Sequence, residues 1–223
     1  MRKRVIICIV LCLVAVSIGV GVIYASVSGD SYFLAGELFR SAQNKAEVST
    51  NGNVKVVAKY NGEEILSSVV EYYKSLHNLG KTEEEYVTDT EIIHSIIENL
   101  MMVEEAQRQG CGATQTEIDN MVANTVRAYS IPEGKEMLDS YLKGVGITFD
   151  EYLEIVKEQA PRVIARQKLI DAVGRKYCEE NGMEFTKVNP PAEMVAAQEA
   201  YIANLFDQNK HKIEYLVDVP VVS

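Results

Sequence analysis

The sequence predicts a mainly α-helical domain behind one transmembrane helix, with its two ends joined by a small β pairing. Three observations lead there. Val5 to Ala25 (VIICIVLCLVAVSIGVGVIYA) carries no charged residue, and a helix of that length spans ~31 Å, about the hydrocarbon thickness of a bilayer. Apolar residues then recur at helical spacing through most of the chain, punctuated by Gly, Pro and capping boxes. Alternating β-branched stretches lie at the two ends of that helical region.

The first element is set by charge. Met1 to Arg4 is a basic cap that stays cytoplasmic under the positive-inside rule, so the chain after Ala25 is expected outside the cytoplasm. The segment 5–25 is either a retained signal-anchor or a signal cleaved near Ala25, where Ile23-Tyr24-Ala25 loosely fits a processing site. Cys8 and Cys12 do not follow a small residue, which argues against lipidation. Residues 26–52 read as a stalk, polar at both ends. Within it, Tyr32 to Ala46 is either irregular or a short helix at the membrane surface, with Phe33, Leu34, Leu38 and Phe39 on one side.

A domain over residues 53–219 follows. Val54 to Tyr60 alternates and is β-branched, so it reads as a strand, and Asn61-Gly62 is the strongest turn signal in the chain. Ser67 or Ser68 is the expected N-cap of a helix that Gly80 stops. Asp89 to Gln109 forms the next, with Ile92, Ile93, Ile96, Ile97, Leu100 and Val103 apolar. Thr114-x-x-Glu117 and Thr148-x-x-Glu151 are capping boxes for two more. Between them Ile131-Pro132 opens a helix ending near Gly144 or Gly146. The helix after Thr148 runs to Asn181-Gly182, and Pro161 inside it predicts a kink or a break. Pro190-Pro191 precedes a last helix, Ala192 to Asn209. Lys212 to Val219 is a final strand. Two lone strands would each expose unpaired edges, so they are expected to pair with each other and clasp the domain.

Composition narrows the function. The chain has 22 basic and 32 acidic residues; without the basic cap, 19 remain against 32, a net −13. Such a body is repelled by phosphate backbones, which disfavours nucleic-acid binding. Cys111 and Cys178 are too few for a disulfide framework, although they could pair in an oxidising compartment. HExxH, GxSxG, phosphate-loop, dinucleotide and CxxC motifs are absent, and His77, His94 and His211 are scattered. No metal or cofactor is expected. Carboxylate pairs such as Glu104-Glu105 and Glu179-Glu180 read more simply as solvated helix positions than as acid/base pairs. Methionines and tyrosines are frequent along the helices, and flexible thioethers and amphipathic rings suit adaptable contacts with varied peptides. Tyr73, Met101, Met102, Met121, Tyr129, Met137 and Tyr141 are the candidate lining of a peptide groove. The simpler role for each is core packing.

The order of these elements resembles a known family. Val57-Ala58-Lys59-Tyr60-Asn61-Gly62-Glu63-Glu64-Ile65 looks like the "VAxVNGxxI" opening of the SurA/PrsA-type extracytoplasmic foldases. Ile96 to Leu100, Glu104-Glu105-Ala106, Gly110 and Thr114-x-x-Glu117-Ile118 are similar to that family's helix pair. Gly146 to Tyr152 (GITFDEY) is similar to the start of its long helix. The resemblance covers roughly residues 54–180. It implies a SurA N-terminal-like chaperone domain that binds unfolded or newly translocated polypeptides without ATP. The family's parvulin isomerase domain usually lies between the long helix and the last one; here Glu179 to Ala192 is too short to hold it. The expectation is therefore a membrane-anchored, chaperone-like protein. The alternatives are a non-catalytic assembly subunit with one envelope partner, or, least supported, a prolyl isomerase.

Overall fold

The computed structural model describes residues 29–50, 54–78 and 82–216. The anchor segment 5–25 lies outside the described residues. No helix among the described residues is long and apolar enough to cross a membrane.

The architecture is mainly helical with a three-stranded sheet. In chain order the elements are α1 (Gly29–Thr50), β1 (Val56–Tyr60), β2 (Glu63–Leu66), α2 (Ser67–His77), α3 (Asp89–Arg108), α4 (Gln115–Ser130), α5 (Pro132–Val145), α6 (Phe149–Glu180), α7 (Ala192–Asn209) and β3 (Ile213–Tyr215). The strand order is β2-β1-β3, antiparallel throughout. Lys59 pairs with Glu64 on one side and with Glu214 on the other. The two ends of the domain are thus clasped as expected. Asn61 (φ 49°) and Gly62 (φ 83°) make the β1–β2 turn, and their left-handed backbone matches the twist of the hairpin. Asn61 N–H also donates to the Lys212 carbonyl at 3.1 Å, which locks the turn to the chain entering β3.

Capping boxes set three helix starts. Thr114–Glu117 opens α4 and Thr148–Glu151 opens α6, as their spacing predicts. A third, Thr88–Glu91, opens α3. Gly146 (φ 86°) caps α5 in the left-handed conformation. The serine cap of α2 is corrected: Leu66 is the N-cap and has no side-chain cap. Ser67 Oγ instead accepts the Lys55 N–H at 3.2 Å, tying the helix start back to the chain before β1.

Two further expectations change. The segment read as a stalk contains α1, a 22-residue helix. It packs along α5 and α2, with Phe39 2% exposed while Leu34 and Leu38 face outward. Backbone contact made this possible, and apolar periodicity does not register it. Gly36 and Gly144 let α1 and α5 approach so closely that a Cβ on either would sit 2.2 Å from a carbonyl oxygen of the other helix. Secondly, α6 is one continuous helix of 32 residues through Pro161, so of the kink or break expected there the break does not occur.

The main core joins the sheet (Val57, Ala58, Tyr60, Ile65) to α3 (Ile92, Ile93, Ile97, Met101), α6 (Ala165, Leu169) and α7 (Leu205). A second cluster, Phe39, Tyr72 and Val145, holds α1, α2 and α5 together. A third, Ile155 and Val156, seats α4 on α6. Tyr73 packs against both of the first two clusters. Cys111 and Cys178 are both free thiols, and Cys178 is buried.

Candidate functional site

The functional residues proposed from sequence divide among separate environments. Met101 (1% exposed) and Met102 (6%) belong to the main core. Tyr73 bridges the first and second clusters, and Tyr141 stands edge-on to Phe39 in the second, with ring centroids 5.7 Å apart. Met121 packs against Ile155 and Val156. Tyr129 stacks on Phe149 at 3.7 Å and donates to Asp139 at 2.6 Å. Met137 is half-buried on α5. The structure does not gather these seven into one groove. For Tyr73, Met101, Met102, Met121 and Tyr141 the spacing along amphipathic helices serves packing, the simpler role.

Two openings lie on either side of a ridge made by Tyr60 and Glu104, and of the seven residues Met101 alone is in their lining. The first is a cleft of about 670 Å³ between α3, α7 and the chain entering β3. Met101 and Leu205 form its apolar part; Glu105, Arg108, Tyr201, Asn204 and Lys212 supply its polar groups. The second, about 500 Å³, lies between α3, α6 and the β1–β2 turn. Leu100, Val103, Pro161 and Ala165 line it beside Glu63, Glu158 and Arg162.

The ridge is built from three segments. Helical spacing carries the row Ile93, Ile97, Met101 and Glu105 along the buried side of α3 and leaves Glu104 at its edge. Glu104 accepts a hydrogen bond from the Tyr60 hydroxyl of β1. It also accepts from Lys212 Nζ at 3.0 Å and Asn61 Nδ2 at 3.4 Å. The Tyr60 hydrogen bond, reinforced by Lys212, holds the Glu104 carboxyl below its ordinary range. Burial and the Glu104 carboxylate push the Tyr60 hydroxyl up, so it stays a donor.

Glu105 anchors the floor of the first cleft. It is 9% exposed. Its carboxylate accepts from Arg108 Nε at 2.6 Å, Gln109 Nε2 at 2.6 Å and Tyr201 Oη at 3.1 Å. The Arg108 guanidinium chiefly, then Gln109 and Tyr201, hold it down to about 2. The solvated-pair reading of Glu104-Glu105 is therefore corrected: both are structural acceptors that tie α3 to the clasp and to α7. The available signal was the four-residue row of apolar positions, which places Glu105 in line with Met101. The partners Tyr60, Tyr201 and Lys212 come from remote sequence and left no local sign.

Chemically, the clefts offer apolar walls interrupted by hydrogen-bond donors and acceptors that a polypeptide backbone can use. Among the described residues, no group of three or more His, Cys, Asp or Glu side chains is placed to hold a metal ion. No family model matches the chain, and neither the curated proteins nor the solved structures contain a match.

Proposed function

We propose that this protein is a membrane-tethered, extracytoplasmic module that holds unfolded or newly translocated polypeptides without ATP. The observation that carries this reading is the pair of clefts meeting at the Tyr60–Glu104 ridge. An extended chain advances ~3.3 Å per residue, so a short segment is long enough to lie across both. Apolar side chains would seat against Leu205 in the first cleft or against Leu100 and Val103 in the second. Backbone groups would meet Asn204 and Gln208 in the first cleft and Gln107 in the second. Burying a few side chains at ~1.5–3 kcal/mol each, less the entropy of association, gives weak and reversible holding. Two sequence features add support: the charge-free run after a basic cap, and the resemblance of residues 54–180 to SurA/PrsA-type foldases.

The test uses the full chain in lipid nanodiscs. A chemically unfolded, unrelated client is diluted into it and light scattering is followed. Suppression near stoichiometric ratio is expected. Gln107→Trp and Gln208→Trp each place a bulky plug at an exposed cleft position, and both are expected to weaken suppression with the circular dichroism unchanged. No suppression by the folded wild type rejects the reading.

A dedicated assembly subunit is the second reading. The exposed apolar residues Val126 and Ile131, close to the α4–α5 junction, favour it. It predicts one cross-linked envelope partner, lost on Ile131→Asp, and no general suppression of aggregation.

A further inference from the structure

Six of the helices close into a ring. α1 packs on α5, α5 on α4, α4 on α6, α6 on α3, α3 on α2, and α2 on α1. On α6, two buried polar atoms have no hydrogen-bond partner among the described residues. Gln159 on α6 is 2% exposed, and its Oε1 has no hydrogen-bond partner. Arg166 lies seven residues further on, two helical turns along the same face, and its Nε is buried and equally without a partner. Among the described residues Arg166 makes neither a hydrogen bond nor an ion pair. That is notable in a chain with 32 acidic residues.

Arg162 lies between them on the same face. It faces Glu63 at 3.5 Å, a loose contact at the cleft rim. Arg166 and Arg162 both act on the Tyr73 hydroxyl of α2. Burial pushes that hydroxyl up to about 12, so it remains a hydrogen-bond donor. Desolvation works against the charged form of Arg166, and the neutral Tyr73 hydroxyl supplies no counter-charge. Holding an arginine Nε out of water without a partner costs free energy, and a ligand that supplies the missing acceptor would recover it.

We propose that Arg166, with Arg162, Tyr73 and Gln159, forms a receptor for a carboxylate carried by a bound polypeptide. The guanidinium offers paired N–H groups that match a carboxylate in two-pronged fashion. Tyr73 adds an O–H, and the Gln159 amide can turn its NH₂ toward the oxyanion. The inference rests on the polypeptide-holding function and gives it a selectivity. Segments bearing an Asp or Glu side chain, or a free C-terminus, are held more tightly than their neutral counterparts.

Two measurements on the full chain in nanodiscs test it. In the first, thermal unfolding is followed in sodium acetate and in sodium chloride at equal ionic strength. Acetate is expected to raise the midpoint of the wild type by about 2 °C or more over chloride. Arg166→Gln is expected to abolish that difference, and to unfold at a higher temperature than the wild type in chloride. A purely structural arginine would do the opposite, so an Arg166→Gln variant that is less stable in chloride overturns the proposal. So does a wild type indifferent to acetate.

The second measurement is the binding of unstructured apolar peptides that carry one Glu or its Gln counterpart, each with a free or an amidated C-terminus. About tenfold tighter binding of the carboxylate forms, erased by Arg166→Gln, is expected. Whether the preference follows the Glu or the free terminus identifies the source of the carboxylate. Peptides that bind equally in all four forms overturn the proposal. An acetate response without any peptide binding supports the anion site and rejects the holding function.

Discussion

Gly36 on α1 and Gly144 on α5 press against each other backbone to backbone: a Cβ on Gly36 would lie 2.9 Å from the Gly144 Cα, and a Cβ on Gly144 equally close to the Gly36 Cα. Each would also meet a main-chain carbonyl, of Tyr141 or Phe33, at 2.2 Å. Backbone cannot step aside as a flexible side chain can. Gly36→Ala and Gly144→Ala are each expected to destabilise the α1–α5 contact by about 1–3 kcal/mol, despite alanine's better helix propensity. The check is limited proteolysis of 29–50 alongside the thermal midpoint. Cleavage should rise in either variant. If α1 were an independent stalk, both substitutions would leave cleavage of the segment unchanged.

Acid sensitivity should track Glu105. Its folded-state value is about 2 against an ordinary 4.5, because Arg108, Gln109 and Tyr201 donate to it. A lowered value stabilises the fold fully above pH ~4.5, and that stability is lost as pH falls from ~4.5 towards ~2. The side chain of Arg108 is 71% exposed, so solvent screening reduces the gain to the order of 1–2 kcal/mol. Glu105→Gln is expected to lower stability at neutral pH and to flatten the acid limb between pH 4.5 and 3. Denaturant unfolding at several pH values measures both. An acid limb as steep in the variant as in the wild type would assign the sensitivity to other carboxylates.

The sequence announced the elements better than their assembly. Capping boxes at Thr114 and Thr148, the Asn61-Gly62 turn and the β-branched ends are local signals, and the structure follows them. The pairing of β3 with β1 followed from the cost of lone strand edges. The fit of Gly36 against Gly144 was not legible, because it depends on which two glycines meet across more than a hundred residues. The methionines and tyrosines fall in separate environments for a related reason: helical spacing gives the face a side chain occupies but not which neighbour covers that face. The cleft partners Tyr201 and Lys212 reach Glu105 and Glu104 from distant chain segments.

Met101 separates packing from binding. It is 1% exposed and still forms part of the first cleft's wall. Met101→Ala is expected to cost about 2–5 kcal/mol by removing core volume. It should lower holding activity only through unfolding, so activity per folded molecule stays constant. Gln208→Trp should do the reverse, with activity falling and stability unchanged. Unfolding curves and scattering assays on the same preparations distinguish the two. Equal stability of Met101→Ala and wild type would contradict its place in the core.

Pro161 sits inside an unbroken helix, exposed, in the wall of the second cleft. A proline there has no N–H to give the Lys157 carbonyl, and its ring crowds that carbonyl, a loss of about 3 kcal/mol in a regular helix. A fold that needed only a straight α6 would gain by replacing it. Pro161→Ala is therefore expected to raise stability by about 1–3 kcal/mol. The restored hydrogen bond should also draw the helix wall inward beside Leu100 and Val103, so holding activity should fall in the more stable variant. Thermal unfolding and client scattering, read together, decide it. Higher stability with undiminished activity would show that the second cleft does not depend on the proline. Lower stability would show that the ring's own packing outweighs the missing hydrogen bond.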